Sequence, residues 1–180
     1  EFAALSFDLA ARLQTPVFVM LDLDIGMNDW LCEPLQWTDD YKMDSGKVMT
    51  YAELEAGKDF GRYLDVAGDG IPYRTLPGTP PKRGAFFTRG TPKNRYAKYS
   101  EEGTDYVDNM QRLLRKFETA KSLVPQPVLR QAAQPSRFGV IHYGSTNAVM
   151  PESLDALEAR GVHLDTLRIR AFPFHDSIID

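Results

Sequence analysis

The sequence predicts an α/β fold broken by one long irregular connection, and three observations carry that reading. Near the start, a helical pattern runs directly into Val17-Phe18-Val19-Met20-Leu21, a β-branched and aromatic run without alternation, which is the pattern of a strand buried on both faces of a parallel sheet. Near the end, residues 138–143 read as a second buried strand, residues 144–147 as a tight turn, residues 151–160 as a helix stopped by Gly161, and residues 162–170 as a third strand. That is a βαβ unit with a parallel pair and a right-handed crossover. Between these ends, residues 60–91 are so rich in glycine and proline that regular structure has little room.

Composition narrows the function. A net charge of −4 leaves no basic face for nucleic acid held by bulk charge, so an anionic ligand has to be met locally. The single cysteine, Cys32, excludes an internal disulfide and an iron–sulfur cluster ligated by this chain alone. The longest apolar run, residues 17–21, is strand length, and no charged, apolar leader opens the chain, so a cytoplasmic location with no membrane partner is expected. The first residues read as a helix already under way and residues 175–180 as a helix just beginning, the pattern of a fragment.

In order, residues 1–13 place Phe2, Leu5, Leu9 and Leu13 at helical spacing, with Thr15 and Pro16 as the stop. Past the first strand, Asp22, Asp24, Asn28 and Asp29 surround Gly26, at the sheet edge where open α/β folds place ligands. Asp22 and Asp24 could hold magnesium and attack a phosphoryl group, in the manner of haloacid-dehalogenase-like phosphohydrolases, or they could simply cap the turn. The glycine–threonine pair such phosphatases carry after the second aspartate is absent from Ile25-Gly26-Met27. Residues 30–37 continue as an apolar, irregular segment, and residues 39–58 read as a charged surface.

The stretch 60–91 holds too many aromatic and branched residues to be disordered, so it is expected to pack down as an ordered loop. Arg62, Arg74, Lys82, Arg83 and Arg89 run through it beside Thr75, Thr79 and Thr88. A guanidinium fork binds carboxylate or phosphate in a bidentate way, which makes Arg74 the first candidate for an anionic ligand; most loop arginines are merely solvated. Gly68-Asp69-Gly70, with Asn94 downstream, has the spacing of a magnesium–diphosphate motif of thiamine enzymes. Pro72 and Pro77 replace the helix that should follow, so the three residues read as a turn.

Residues 104–122 give the clearest helix, with an apolar stripe of Val107, Met110, Leu113, Leu114 and Phe117 and a solvated face of Arg112, Arg115 and Lys116. Residues 124–136 have linker composition. The Gly144-Ser145-Thr146 turn could cradle an anion or serve packing alone. His142, His163 and His175 have no metal-ligand spacing, no metal site is expected from this chain, and no serine–histidine–acid arrangement stands out.

Residues 15–30 (TPVFVMLDLDIGMNDW), 60–91 (FGRYLDVAGDGIPYRTLPGTPPKRGAFFTRGT), 110–120 (MQRLLRKFETA) and 138–157 (FGVIHYGSTNAVMPESLDAL) together resemble the α subunit of 2-oxoacid:ferredoxin oxidoreductases, most of all the 2-oxoglutarate type. The resemblance implies that residues 1–30 end a thiamine-pyrimidine-type domain, that 31–136 form a loop-rich connection near the active site, and that 137–180 open a transketolase-C-terminal-like domain. It implies oxidative decarboxylation of a 2-oxoacid on thiamine diphosphate and Mg²⁺, electron transfer through a [4Fe-4S] cluster to ferredoxin, and release of acyl-CoA from coenzyme A. The diphosphate site and the cluster would belong to a β partner. Carried over to this chain are Arg74, and less strongly Thr79, for the substrate carboxylate, with Asp24 and Asn28 near the cofactor. In one departure, Thr91 is followed by Pro92, Lys93, Asn94 and Arg95 where relatives carry a histidine and an acid, which bears on substrate choice. A non-catalytic assembly role is the remaining class.

Overall fold

The structure is a computed structural model and describes residues 2–36, 38–79, 81–87 and 92–179. Its elements in chain order are helices α1 (Phe2–Leu13), α2 (Leu23–Met27), α3 (Tyr51–Glu55), α4 (Pro81–Gly84) and α5 (Gly103–Lys121), strands β1 (Val128–Arg130) and β2 (Gly139–His142), helix α6 (Thr146–Glu158), strand β3 (Asp165–Arg168) and a 3₁₀ turn, Asp176–Ile178. The fold is mixed α/β, with a three-stranded sheet of order β1-β3-β2. The chain divides into two units, Glu1–Phe18 with Lys42–Ala120, and Val19–Tyr41 with Lys121–Asp180.

The first unit has little regular structure besides its helices, and its small core gathers Leu9 and Leu13 of α1 with Met49, Leu54, Ile71 and Ala120. The segment expected as a plain charged surface contains α3, which starts on a capping box: the Thr50 hydroxyl accepts from Glu53 N, and the Glu53 carboxylate returns to Thr50 N. Such reciprocal caps satisfy two orphan amide donors of a helix start, enough to hold even a five-residue helix on which Leu54 is the most buried side chain. After α1, Gln14 turns with φ of 50° and its side-chain amide donates to the carbonyl of Pro72 at 3.0 Å, tying the helix end to the long loop.

α5 departs most from expectation. The solvated face predicted for Arg112 and Lys116 is the buried face: each is 6% exposed, and Ala120 lies one further turn along the same stripe. The apolar stripe points outward instead, with Val107, Met110, Leu114 and Phe117 exposed. The reason lies in what α5 packs against. A loop without a ladder leaves carbonyls unpaired, and buried carbonyls need donors. α5 supplies them: Asn109 Nδ2 donates to Lys93 O at 2.6 Å, Arg112 Nη1 to Gly70 O at 3.1 Å, Thr119 Oγ1 to Asp69 O at 2.7 Å and Lys116 Nζ to Gln14 O at 3.4 Å. The contact is close. A Cβ on Gly70, whose φ is +77°, would stand 2.3 Å from Lys116 N and 2.5 Å from Arg112 O, so the loop reaches the helix backbone only because this residue is glycine.

The second unit holds the sheet. β2 and β3 pair in parallel, Gly139 opposite Asp165 through His142 opposite Arg168, with α6 as the crossover, which is the expected βαβ. Four expectations need correction. Residues 124–136 are not linker throughout, because Val128–Arg130 form β1, antiparallel to β3. β2 is not buried on both faces, since Ile141 is exposed while His142 is buried. α6 begins at Thr146 rather than at Pro151; proline favours a first turn, but here it sits inside the helix. The predicted strand at residues 17–21 is also absent: among the described residues nothing forms a ladder with it, and Phe18 and Met20 are 80% and 84% exposed. Without ladder partners an extended apolar segment has no means of satisfying its backbone as a strand.

Candidate functional site

In the long loop, the backbone of Arg74 is fixed by a short bridge: its N–H donates to Lys47 O at 3.0 Å and its carbonyl accepts from Met49 N at 2.8 Å. The half-buried side chain donates from Nη2 to Ser45 O at 2.9 Å, and its Nε has no partner. One end of the guanidinium is thus anchored while part of its fork is uncommitted, the state in which arginine can accept a carboxylate without first losing a salt bridge. Thr79 is committed locally, its hydroxyl donating to Leu76 O at 2.6 Å and closing a turn, while Thr75 Oγ1 donates to Gly84 O at 2.7 Å. Arg83 is also spent on backbone, donating to Leu54 O at 2.7 Å. Arg89, Thr88 and Thr91 lie outside the described residues.

Arg62 sits among like charges, with Arg74, Arg112 and Lys116 each interacting with it. Burial pushes the Arg62 guanidinium down, and Arg74 adds to the displacement. Burial likewise lowers Arg112, with Arg62 next in effect, and burial followed by Arg112 and Arg62 brings Lys116 down to about 8. Among the described residues none of these four cations forms an ion pair with a carboxylate, and a buried charge left unpaired is expensive. Arg62 and Arg112 lean instead on aromatic faces, both 5.5–5.6 Å from the Tyr63 ring centroid and Arg62 also 5.7 Å from Phe86. Sequence reasoning names Arg62 only as one of several loop arginines, and passes over Arg112 and Lys116 because helical periodicity assigns charged residues to solvent.

The magnesium–diphosphate residues do not assemble. Asp69 is held by Lys47 Nζ at 2.7 and 2.6 Å and by Ile71 N at 3.0 Å, and Asn94 Oδ1 accepts from Tyr96 N and Lys98 N. Gly68-Asp69-Gly70 is the turn expected of it, and its residues do not fit a diphosphate-bound cation.

In the second unit the strand-end acids are caps. Asp22 Oδ1 accepts from Ile25 N at 2.9 Å at the start of α2, and Oδ2 accepts from Ser145 N at 2.6 Å at the start of α6. The bond from Ser145 and then that from Ile25 lower the Asp22 pKa. Gly144 (φ +61°) lets the carboxylate approach, since a Cβ there would stand 2.5 Å from Oδ2. The α6 N-terminus, weighed above as an anion cradle, already holds this anion from its own chain. Asp24 accepts from the Ser145 hydroxyl at 3.4 Å, and Asn28 is the C-cap of α2. With both Asp22 oxygens committed, and no cluster of three or more acids, histidines or cysteines poised for a metal among the described residues, nothing supports the phosphohydrolase reading. No helix of the described residues is long and apolar enough to cross a membrane.

No family model matches the sequence, and no curated protein does. The chain is similar in structure to the 2-oxoglutarate:ferredoxin oxidoreductase from Magnetococcus marinus, solved with 2-oxoglutarate, coenzyme A and succinyl-CoA bound, with a TM-score of 0.64 and 17% identity over 79% of this chain. The chain spans 24% of that structure's chain. At this identity the likeness is one of fold.

Proposed function

We propose that this chain is part of the α subunit of a thiamine diphosphate-dependent 2-oxoacid:ferredoxin oxidoreductase, with 2-oxoglutarate as the favoured substrate, and that it contributes recognition of the substrate carboxylate. The observation that carries the reading is the structural likeness to a 2-oxoglutarate:ferredoxin oxidoreductase over 79% of the chain, reached independently of the sequence motifs that resemble the same family. In this reading residues 1–30 close a thiamine-pyrimidine-type domain and residues 137–180 open a transketolase-C-terminal-like one.

Arg74 is the residue assigned to the carboxylate, with Thr79 beside it in the loop. Its anchored, partly free fork supports the assignment, and the unpaired Arg62 near it favours a doubly charged oxoacid over a singly charged one. Asp24 and Asn28 are assigned places near the cofactor, and thiamine diphosphate would supply the carbanion chemistry. The diphosphate, Mg²⁺ and [4Fe-4S] sites are assigned to a β partner, in keeping with the single cysteine and with the unsuitable Gly68–Gly70 turn. Exposed Phe18, Met20, Leu21, Leu31 and Leu35 offer apolar surface of the kind subunit contacts cover.

The test is anaerobic reduction of a viologen dye by the protein containing this chain with its β partner, given thiamine diphosphate, Mg²⁺ and coenzyme A, across several 2-oxoacids. CoA-dependent reduction with 2-oxoglutarate, weaker with pyruvate, is expected. No reduction with any oxoacid, from a complex holding intact clusters, would refute the activity. Arg74→Ala should raise KM for the oxoacid at least tenfold, about 1.4 kcal/mol of binding; an unchanged KM removes Arg74 from the site.

A further inference from the structure

A cleft of about 190 Å³ opens beside α5 in the first unit, lined by Tyr63, Asp65, Arg95, Asp108, Arg112 and Arg115 among others. Each of its acids holds one arginine, and Asp65 Oδ1 is left buried without a hydrogen-bond partner. Asp108 takes Arg95 Nη2 at 3.1 Å, and Asp65 Oδ2 takes Arg115 Nε at 3.2 Å together with the N–H of Gly70 at 3.0 Å. Arg112 is therefore the surplus cation: it is bonded to the Gly70 carbonyl through Nη1, its Nε has no partner, and Arg62 and Lys116 nearby add charge of the same sign. The two ion pairs each use one nitrogen, so Arg95 and Arg115, both about half exposed, keep donors free for a ligand.

We propose that this cleft binds the phosphoryl group of a small anionic ligand through Arg112, Arg95 and Arg115. A planar carboxylate is satisfied by one guanidinium fork, whereas a tetrahedral phosphoryl group accepts donors from several directions. Three guanidinium groups from a loop and two turns of α5 meet the second requirement. The ion pairs with Asp65 and Asp108 hold the outer arginines in place and the two acids offset part of the Arg112 charge, which leaves three guanidinium groups against two carboxylates in a cleft of about 190 Å³. The site is separate from Arg74 in its residues, and its test needs no turnover, so it stands or falls independently of the oxoacid reading.

The experiment is titration of the chain with inorganic phosphate at constant ionic strength, followed by amide NMR shifts, with citrate as the carboxylate comparison. Saturating shifts at Tyr63, Asp65, Arg95 and residues 108–115 are expected, with citrate at least about fivefold weaker. Arg95→Gln and Arg115→Lys should each weaken phosphate at least about threefold; the lysine keeps the ion pair to Asp65 and removes only the fork, so a purely structural Arg115 would not respond. Asp108→Asn, which frees Arg95, should tighten binding. Shifts that do not saturate, midpoints unmoved in both arginine variants, or weaker binding in Asp108→Asn would overturn the site. Equal affinity for citrate would overturn the phosphoryl assignment.

Discussion

Replacing Lys116 by methionine should stabilise the first unit at neutral pH, although it deletes a hydrogen bond. Lys116 is 6% exposed, its ammonium has no carboxylate partner, and its one carbonyl contact, to Gln14, is a long 3.4 Å. Burial first, then Arg112 and Arg62, lowers its pKa from 10.5 to about 8. That displacement of about 2.5, at about 1.4 kcal/mol for each, makes the charged form cost roughly 3.5 kcal/mol in the folded state. Methionine keeps most of the stem volume and leaves the Gln14 carbonyl short of a donor, a loss of about 1–2 kcal/mol. The net gain at pH 7 is then about 1.5–2.5 kcal/mol. The sign of the pH dependence follows from proton counts. Between pH 8 and 10.5 the unfolded chain holds the Lys116 proton and the folded chain has released it, so the lysine form gains stability as pH rises through this window. Lys116→Met should lose its advantage there and fall slightly below the parent at the top. Urea unfolding read by hydrogen exchange of α5 peptides at pH 7, 8, 9 and 10 measures the difference within this unit. A variant less stable at pH 7, or a difference that does not change with pH, would refute the argument that Lys116 is an uncompensated buried charge.

Three further outcomes are expected. Gly70→Ala should destabilise the first unit by more than about 2 kcal/mol, because its Cβ would meet the backbone of α5 at 2.3 Å from a left-handed φ, and the same exchange measurement would show α5 losing protection. Thr50→Ala should cost about 1 kcal/mol and release the Glu53 amide to exchange, whereas Thr50→Ser should retain the cap. Asp22→Asn should expose the amides of Ser145 and Ile25 to faster exchange, since an amide side chain has one acceptor oxygen where the carboxylate uses two. Because the Asp22 pKa lies below 3.8 in the folded chain, its contribution is present above that pH and is lost as pH falls through the folded value; protection of Ser145 should follow the same course in acid.

Where local chemistry decides structure, the sequence was legible. The βαβ of β2, α6 and β3 follows from two apolar runs flanking a helical pattern, and α1 and α5 fall within a residue or two of their periodicity. α3 was also legible and went unread: Thr50-x-x-Glu53 is a capping signature, obscured by the charge of its neighbours. The expectation for residues 17–21 failed for a non-local reason, since whether such a run becomes a strand depends on a ladder partner that sequence distance does not reveal. β1, three exposed residues in a proline-rich setting, exists because β3 offers an edge to pair with.

For the candidate sites the failure is more instructive, because the rule that charged residues on an amphipathic helix face water holds on α5 for Arg115 and is inverted for Arg112 and Lys116. Periodicity correctly separates the helix into two faces but cannot say which one packs; that depends on the surface it meets. A sheet or a second helix presents apolar side chains with its backbone already paired, and then the apolar stripe goes in. The irregular chain that α5 meets instead presents carbonyls, those of Gln14, Asp69, Gly70 and Lys93, and the stripe of Asn109, Arg112, Lys116 and Thr119 goes in because it carries donors. Two of those donors bring a full charge with them. A cation binding a carbonyl satisfies the oxygen and leaves the charge unbalanced, so the same contacts that fix the loop and the end of α1 on α5 also concentrate positive potential beside it. On this argument, the anion affinity proposed for the cleft and the instability assigned to Lys116 have one origin. A variant that relieves the charge, such as Lys116→Met, should therefore stabilise the unit and weaken phosphate binding together.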